Sequence, residues 1–335
     1  MYREAAQAPD AVREQLQANA ARVARLTERL RQAPPRAVVT CARGSSDHAA
    51  TFARYLIETR LGLLTSSAAP SVSSVYDARP DLSGALVLAI SQSGASPDLL
   101  AFVSGARAAG AYIVALVNAE NSPLAQLADE LIPLGAGLEH SVAATKSYIA
   151  SLAAIVHLVA NWTRDVQLAA ALQQAPELLE RAWQLDWSAA VTRLTAANNL
   201  YVVGRGLGLA IAQEAALKLK ETCGLHAEAV SAAELRHGPM ALVRAGFPLL
   251  IFTQNDESRT GVAQLASELA AQGADVLLAG GSAAGATILP TEVAHPVIEP
   301  LLYAQSFYRM ANALSLARGR DPDRPPHLHK VTETL

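Results

Sequence analysis

Cysteine is almost absent from this sequence, which has only Cys41 and Cys223 among its 335 residues. Two cysteines are too few for a disulfide framework or a thiolate metal site, and this indicates a reducing compartment. We therefore expect a cytoplasmic protein. Aromatic residues are also rare, at 5%, whereas 51% of the residues are hydrophobic. Many small aliphatic side chains with few charges are typical of α/β proteins with parallel sheets.

The sequence lacks both a strong charge and a long apolar run. A net charge of −3 provides no basic field that would attract nucleic acid or an anionic membrane, so we expect neither as a partner. The longest apolar runs, such as 85–90, are far shorter than the roughly 20 residues that span a bilayer. The N-terminal segment predicts an amphipathic helix and has no apolar core typical of a signal peptide.

Strand and helix patterns alternate in each half of a chain whose length favours two domains. In the first half, apolar strands are predicted at 37–41, 85–90 and 111–117, with a helix over about 47–61. In the second half, strands are predicted at 200–203, 248–252 and 274–279. Such alternation indicates βαβ crossovers and a parallel sheet. Residues 146–195, between the halves, predict two helical stretches whose tryptophans, Trp162, Trp183 and Trp187, pack in the core.

A tandem duplication relates the two halves. Arg43 and Arg205 are separated by 162 positions, as are Ser91 and Thr253, and Gly110 lies 163 positions before Gly273. A nearly constant offset across three pairs indicates that one α/β unit has been repeated.

A serine-rich loop at 91–96 follows the predicted strand 85–90. In open α/β sheets the ligand binds beyond the carboxyl ends of the strands, where helix N-termini present backbone N–H groups. The loop therefore predicts a phosphate site, because its hydroxyl and amide groups donate to phosphate oxygens and its glycine admits close approach. The candidate phosphate-binding residues are Ser91, Gln92, Ser93 and Ser96, with Ser45 and Ser46 after the first strand expected to converge on the same ligand.

A simpler alternative is that these serines only cap the helix that begins near Pro97. The duplicated loop helps to choose between the two, because it keeps Gln254 but has Asp256 where the first loop has Gly94. A carboxylate disfavours an anion, so only the first loop suits phosphate.

The sequence resembles the sugar isomerase (SIS) domain family in five segments, which are SQSG at 91–94, SVAATK at 141–146, EAALKLKE at 214–221, HAEA at 226–229 and ELRHGP at 234–239. The resemblance implies an α/β fold of two tandem SIS domains, each a parallel sheet flanked by helices in a three-layer, flavodoxin-like arrangement. The expected organisation is a helical segment at 1–34, SIS domains at 35–165 and 191–320 joined by a helical linker at 166–190, and a tail at 321–335 that closes the site.

Within this family, the segments are most similar to the isomerase half of glucosamine-6-phosphate synthase and to stand-alone, isomerase-type glucosamine-6-phosphate deaminases. The synthase carries an N-terminal glutaminase domain, whereas this sequence opens with Met1-Tyr2 directly on the isomerase portion. We therefore expect that the protein takes no ammonia from glutamine. The tail at 321–330 is similar to that of the deaminases.

Three charged residues, Glu214, Lys218 and Glu221, follow i, i+4, i+7 spacing and so share one helical stripe. Lys218 is expected to pair with Glu214 and to help hold Glu221 ionised. A solvated charged face is the alternative, which the neighbouring Ala215 and Leu217 disfavour. The resemblance implies that Glu221 is the isomerase base and Lys218 the lysine beside it.

The resemblance also assigns roles to three other residues. It implies that His237 assists ring opening across the interface of a homodimer, although a single histidine is by itself usually structural or exposed. It implies that the backbone at Val142 contacts the sugar. Lys330 matches a lysine that forms a Schiff base, but His329 departs from the family pattern, so a lysine that only closes over the sugar is the alternative.

The leading function is hydrolytic deamination of glucosamine 6-phosphate to fructose 6-phosphate and ammonia. A phosphosugar aldose–ketose isomerase or a fructosamine-phosphate deglycase reuses the same loop and base. A sugar-phosphate sensor is the non-enzymatic alternative, but such regulators usually carry a DNA-binding domain, and the roughly 35 residues before the first strand hold no adequate basic surface. The chemistry needs no cofactor, and the histidines have no metal-ligand spacing such as H-x-x-x-H.

Overall fold

The computed structural model describes residues 1–328 and 330, and these divide into two compact units. The first-sheet unit comprises Asp10–Glu139 and Lys146–Gln173. The second-sheet unit comprises Met1–Pro9, His140–Thr145 and Gln174–Leu328. Each unit contains one parallel sheet.

The elements are as follows in chain order. The strands are β1 (Val38–Cys41), β2 (Thr65–Ser67), β3 (Leu86–Ser91), β4 (Tyr112–Val117), β5 (Glu130–Pro133), β6 (Asn199–Gly204), β7 (His226–Ser231), β8 (Pro248–Phe252), β9 (Asp275–Ala279) and β10 (Thr287–Leu289). The helices are α1 (Tyr2–Ala5), α2 (Ala8–Gln32), α3 (Ser45–Leu61), α4 (Ser71–Ser74), α5 (Pro97–Ala108), α6 (Pro123–Leu127), α7 (Lys146–Thr163), α8 (Val166–Gln173), α9 (Ala175–Gln184), α10 (Ser188–Leu194), α11 (Leu207–Cys223), α12 (Arg259–Ala271) and α13 (Glu299–Ala317). Short 3₁₀ helices lie at Glu234–His237 and Pro239–Leu242.

The first sheet has five strands among the described residues, in the order β2-β1-β3-β4-β5, and all of their pairings are parallel. All six residues of β3 are buried, as expected for a central strand covered on both faces. Its alternate residues Val87 and Ala89 pack with Leu99 and Phe102 of α5. Because successive side chains point to opposite faces, Leu88 and its alternating neighbours are buried on the other side.

The second sheet, read from β7, has the order β7-β6-β8-β9-β10, again with parallel pairing throughout its described strands. Numbered within its own unit, this order is 2-1-3-4-5, which is also the order of the first sheet and that of flavodoxin-like folds. The predicted fold class, a pair of tandem parallel-sheet domains, is therefore confirmed. The predicted strand at 248–252 coincides with β8 at both ends.

The prediction for residues 146–195 was wrong in detail. This fully described region forms four helices, α7 to α10, where two helical stretches were expected. Helix α7 ends before Arg164, whose φ of 58° lies in the left-handed region. Pro176 occupies the first turn of α9, a position where its missing N–H costs no helical hydrogen bond. The three tryptophans are buried as predicted.

No helix within residues 1–328 and 330 combines the length and the apolar character needed to cross a membrane.

Candidate active site

The strand order of the first sheet creates a crevice between the carboxyl ends of β1 and β3. The sheet grows in opposite directions from these adjacent strands, and ligands of open α/β sheets bind at such a switch point. Ser45 and Ser46 begin α3 directly after β1, and the loop 91–96 joins β3 to α5. The two groups of serines thus follow adjacent parallel strands at the same edge of the sheet. The candidate residues Ser45, Ser46, Ser93 and Ser96 are all partly exposed.

The loop 91–96, the candidate phosphate loop, is held in shape by hydrogen bonds to its own serines. The backbone N–H of Gly94 donates to Ser91 Oγ at 2.9 Å, and the N–H of Ala95 donates to Ser93 Oγ at 3.4 Å. A hydroxyl that accepts a hydrogen bond keeps its own proton to donate, so both serines remain suited to an anion. Gly94 has a φ of +62°, and a Cβ added there would lie 2.2 Å from Ser122 Oγ. The loop therefore requires glycine at this position.

Glu139 holds the loop through a hydrogen bond from Gln92. Gln92 Nε2 donates to Glu139 Oε2 at 3.3 Å, and Ser147 Oγ donates to the same carboxylate oxygen. Glu139 is buried, so these bonds form where water does not compete strongly. This carboxylate fixes the direction in which the Gln92 amide points. Glu139 was not predicted as a site residue, although it lies two positions before the segment 141–146 that carries the family resemblance.

Arg43 was also missed as a site residue. Its Nε donates to Asp98 Oδ2 at 2.7 Å, which links the loop after β1 to the first turn of α5. Asp98 is buried, while the Arg43 guanidinium stays half-exposed. A cation is therefore held beside the crevice. The repeat pattern had marked Arg43 only as the counterpart of Arg205.

Cys41, at the end of β1, is not a nucleophile at neutral pH. Burial, with a smaller contribution from the nearby Asp98 carboxylate, raises the pKa of the Cys41 thiol to about 12. Since the thiolate is the reactive form, this cysteine has a packing role.

The equivalent crevice of the second sheet is filled by its own side chains. Gln254 is fully buried, and its Nε2 donates to the Arg205 carbonyl at 2.9 Å and to Asp256 Oδ2 at 2.7 Å. The other oxygen of Asp256 accepts from the N–H of Ser258 at 2.9 Å. The Asp256 carboxylate thus accepts the hydrogen bond that the Ser258 N–H would otherwise donate to a bound anion. This geometry supports the predicted divergence of the two loops.

In the second-sheet unit, helix α11 carries a buried polar chain. Lys218 Nζ lies 2.5 Å from Glu221 Oε2 and 3.6 Å from Glu214 Oε1. Tyr308 of α13 donates its hydroxyl proton to Glu214 Oε1 at 2.9 Å. Lys218 and Glu214 are each 1% exposed, whereas the Glu221 side chain is 20% exposed. The chain therefore runs from the interior to a carboxylate that a ligand can reach, and it is not a solvated charged face.

The other predicted residues are His237, Val142 and Lys330. His237 is exposed at the end of a 3₁₀ helix, before Gly238 with its φ of 133°. The Val142 N–H donates to the Asp323 carbonyl at 3.4 Å. Lys330 is partly buried, and His329 lies outside the described residues. Among the residues that the structure describes, no group of three or more His, Cys, Asp and Glu side chains is placed to hold a metal ion.

Comparison with known proteins places these features in one family. The SIS domain model matches residues 30–161 and 193–284. The isomerizing glutamine–fructose-6-phosphate aminotransferase of Aeropyrum pernix is 35% identical over 311 residues, which cover 86% of this chain and 49% of that protein. The corresponding protein of Brucella abortus is 32% identical over 305 residues and is covered to 50%. The chain thus spans about half the length of the curated relatives it matches.

Two solved structures are similar over nearly the whole chain. A candidate phosphosugar isomerase from Silicibacter pomeroyi DSS-3 has a TM-score of 0.93 and 45% identity, with 96% of this chain and 99% of that chain covered. The C-terminal domain of glucosamine-fructose-6-phosphate aminotransferase from Francisella tularensis has a TM-score of 0.87 and 26% identity, with 97% and 98% covered. With the SIS model matched in both halves and sequence relatives above 30% identity along most of its length, the chain belongs to the SIS domain family.

Proposed function

We propose that the protein is a glucosamine-6-phosphate deaminase, which converts glucosamine 6-phosphate and water to fructose 6-phosphate and ammonia. The observation that carries the proposal is the contact of 2.5 Å between the buried Lys218 ammonium and Glu221. An adjacent cation favours the ionised form of a carboxylate, which is the form that a general base requires. Two buried thiols fit the reducing cytoplasm, where we propose that the enzyme acts.

The substrate phosphate binds in the first-sheet crevice. Four partly exposed serines and the Gln92 amide provide donors there, and the guanidinium of Arg43 adds a positive charge that Asp98 holds in place. Hydroxyl and amide donors bind a phosphate without the basic surface that the overall charge excludes. Ser91 contributes as the buried residue that fixes the loop. The backbone at Val142 contacts the sugar.

Ring opening gives the aldehyde form and is assisted by His237. A histidine suits this step because its pKa ordinarily lies near neutrality. The exposed position of His237 fits a residue that serves the site of a second copy, so we propose a homodimer in which each protomer supplies this histidine to its partner.

Isomerisation moves one proton along the opened sugar. Glu221 removes the proton from C2, and the electrons of that C–H bond form the C1–C2 double bond of an enaminol while the π electrons of the C1 carbonyl move to O1, which takes a proton from water. Glu221 then returns its proton to C1 as the nitrogen lone pair forms the C2–N double bond, and the resulting iminium gives one N–H proton back to solvent, which leaves an imine at C2. Water adds to this imine, and ammonia departs to leave the C2 ketone. No cofactor takes part in these steps.

Lys330 is assigned to the ketose end of the substrate. Its amine either condenses with the C2 carbonyl, with loss of water, or pairs with the sugar hydroxyls as the tail closes. Borohydride distinguishes the two, because it reduces only the imine to a stable covalent adduct on Lys330.

An aldose–ketose isomerase for a phosphosugar that lacks an amino group is the second candidate. It is favoured by the 45% identity to the candidate phosphosugar isomerase of Silicibacter pomeroyi. The first three chemical steps are the same, and only hydrolysis of the imine is missing.

The deciding experiment is to incubate the purified protein with glucosamine 6-phosphate and to measure ammonia and fructose 6-phosphate together. The proposal predicts both products in equal amounts. Turnover of another phosphosugar, with neither product from glucosamine 6-phosphate, would replace the deaminase with the isomerase.

A further inference from the structure

Tyr308 is joined to the proposed base by a path of polar contacts. Its hydroxyl donates to Glu214 Oε1 at 2.9 Å, and the same oxygen is 3.6 Å from Lys218 Nζ. The ammonium in turn lies 2.5 Å from Glu221 Oε2. Tyr308 is itself fully buried, so the path begins in the interior of the second-sheet unit and ends at the more accessible carboxylate.

Two carboxylates on this path share one ammonium. When another group stabilises the negative charge of Glu214, Glu214 competes less with Glu221 for the Lys218 ammonium. More of the Lys218 charge then acts on Glu221. A buried hydroxyl that donates to Glu214 Oε1 supplies such stabilisation, and hydrogen bonds to charged groups in a low dielectric are stronger than in water. The shorter contact from Lys218 to Glu221 than to Glu214 agrees with this division.

We propose that Tyr308 is a positioning residue for the base Glu221, acting through Glu214 and Lys218. This inference rests on the proposed function of Glu221. In the wild-type protein, the Tyr308 hydroxyl donates to Glu214 Oε1 and so keeps Lys218 directed at Glu221. Removing the hydroxyl lets Glu214 draw the ammonium toward itself and away from Glu221.

Other ionisable groups on the elements packed against α11 are present in any pH titration of the site. Helix α11 packs against β6, β7, β8 and α13. Besides Tyr308, these elements carry several ionisable side chains. They are Tyr201 on β6, His226 and Glu228 on β7, Glu299, Tyr303 and Arg309 on α13, and Arg318, which caps α13. Tyr308→Phe changes none of them, so they contribute equally to the wild type and to this variant.

The test compares wild type with Tyr308→Phe, which removes one oxygen atom. The first measurement is the pH at which the acid limb of kcat/KM reaches half of its plateau. We expect this midpoint to rise by about 0.5 to 1 unit, with about a 3- to 10-fold loss of kcat/KM below the limb. The KM for substrate at pH 8 is expected to stay close to that of wild type, because the phosphate site is untouched.

The matched control is Tyr303→Phe. Tyr303 lies on the same helix, is buried, and also donates to a carboxylate, with Glu299 Oε2 at 3.3 Å, besides the Thr253 carbonyl at 2.9 Å. Its loss lowers the thermal midpoint of unfolding but leaves the acid limb in place. If Tyr308→Phe only lowers stability, its acid limb therefore stays in place, as in Tyr303→Phe. The inference requires the acid limb to move.

A second measurement needs no substrate. Labelling glutamate with ¹³C at the carboxyl carbon and titrating by NMR follows Glu221 directly, with its signal assigned by its loss in Glu221→Gln. An unchanged Glu221 titration in Tyr308→Phe overturns the inference, whatever the activity. A shifted titration without turnover of any phosphosugar supports the Tyr308 inference and rejects the proposed enzymatic function instead.

If Tyr308→Phe does not fold, 3-fluorotyrosine at position 308 replaces it in both measurements. The fluorinated phenol keeps the hydroxyl and is a stronger donor, so the Glu221 midpoint is expected to move to lower pH. An unmoved or raised midpoint contradicts the inference.

Discussion

Lys218 Nζ lies 2.5 Å from Glu221 Oε2, and the lysine is almost completely buried while the glutamate is partly exposed. The burial of an ammonium group is costly unless opposite charges surround it. Here Glu214 lies on its other side, at 3.6 Å. The pair is therefore a structural element of α11 and, in the proposed function, the feature that prepares Glu221 for proton transfer.

Replacing Lys218 by methionine is expected to destabilise the protein by about 3 to 5 kcal/mol, because the buried Glu214 loses its cation. Lys220→Met is the matched control, since Lys220 is exposed on the same helix and its loss should change stability by less than about 0.5 kcal/mol. Urea unfolding of the two variants measures the difference. Equal stabilities would show that the buried ion pair is not needed.

Gly94→Ala is expected to raise the KM for the phosphosugar and to lower the thermal midpoint of unfolding. The added methyl group meets Ser122 at 2.2 Å and Val117 at 2.9 Å, so the phosphate loop must shift. Gly62→Ala is the control, because Gly62 has a similar φ of +66° but nothing within 4 Å of the added carbon. It should cost about 1 kcal/mol of backbone strain and leave KM unchanged. Identical behaviour of the two variants would mean that the loop tolerates displacement.

Glu139→Gln tests the support beneath the phosphate loop. The substitution removes the charge that the Gln92 amide donates to, and we expect KM to rise by about 3- to 10-fold with a smaller effect on kcat. Glu120→Gln, at an exposed position of the same unit, is the control. Steady-state kinetics of the two variants give the comparison. If Glu139→Gln has the KM of wild type, Glu139 is not needed to hold the loop in its binding conformation.

His157 predicts how stability changes with pH. Burial lowers the pKa of His157 below its ordinary value of 6.5. The unfolded chain therefore takes up a proton near pH 6.5 that the folded chain takes up only at lower pH. Stability contributed by this group is complete above pH 6.5 and is lost as pH falls toward the folded-state pKa, by at most about 1.4 kcal/mol per unit.

His157→Gln should flatten the decline of unfolding free energy between pH 6.5 and 5. The control variant is His226→Gln, at an exposed position. An unaltered slope in His157→Gln would mean that this histidine takes up its proton equally in both states.

The core of the fold was predictable because parallel strands have a strong local signature. The β3 segment is a continuous apolar run that is buried on both faces, and Pro248 and Phe252 bound β8 as predicted. The connection at 146–195 was less predictable. The break after α7 depends on the left-handed backbone conformation of Arg164. An arginine rarely adopts this conformation, and no pattern in the sequence predicts it.

The site was predictable where its residues share one segment. Lys218 and Glu221 are three positions apart on a helix, so their contact follows from helical spacing. The supporting contacts join residues that are distant in sequence, with 47 positions between Gln92 and Glu139, 55 between Arg43 and Asp98, and 94 between Glu214 and Tyr308. Such pairs depend on tertiary packing, which periodicity does not reveal.

The central claim is that Glu221 moves a proton from C2 to C1 of an amino-sugar phosphate. Turnover of glucosamine 6-phosphate deuterated at C2, followed by NMR of the fructose 6-phosphate formed, tests it most directly. We expect wild type to carry deuterium from C2 to C1, and Glu221→Gln to form deuterated product at least about 100-fold more slowly, with Glu228→Gln, an exposed β7 variant, resembling wild type. Deuterium transfer by Glu221→Gln at the wild-type rate would contradict the account.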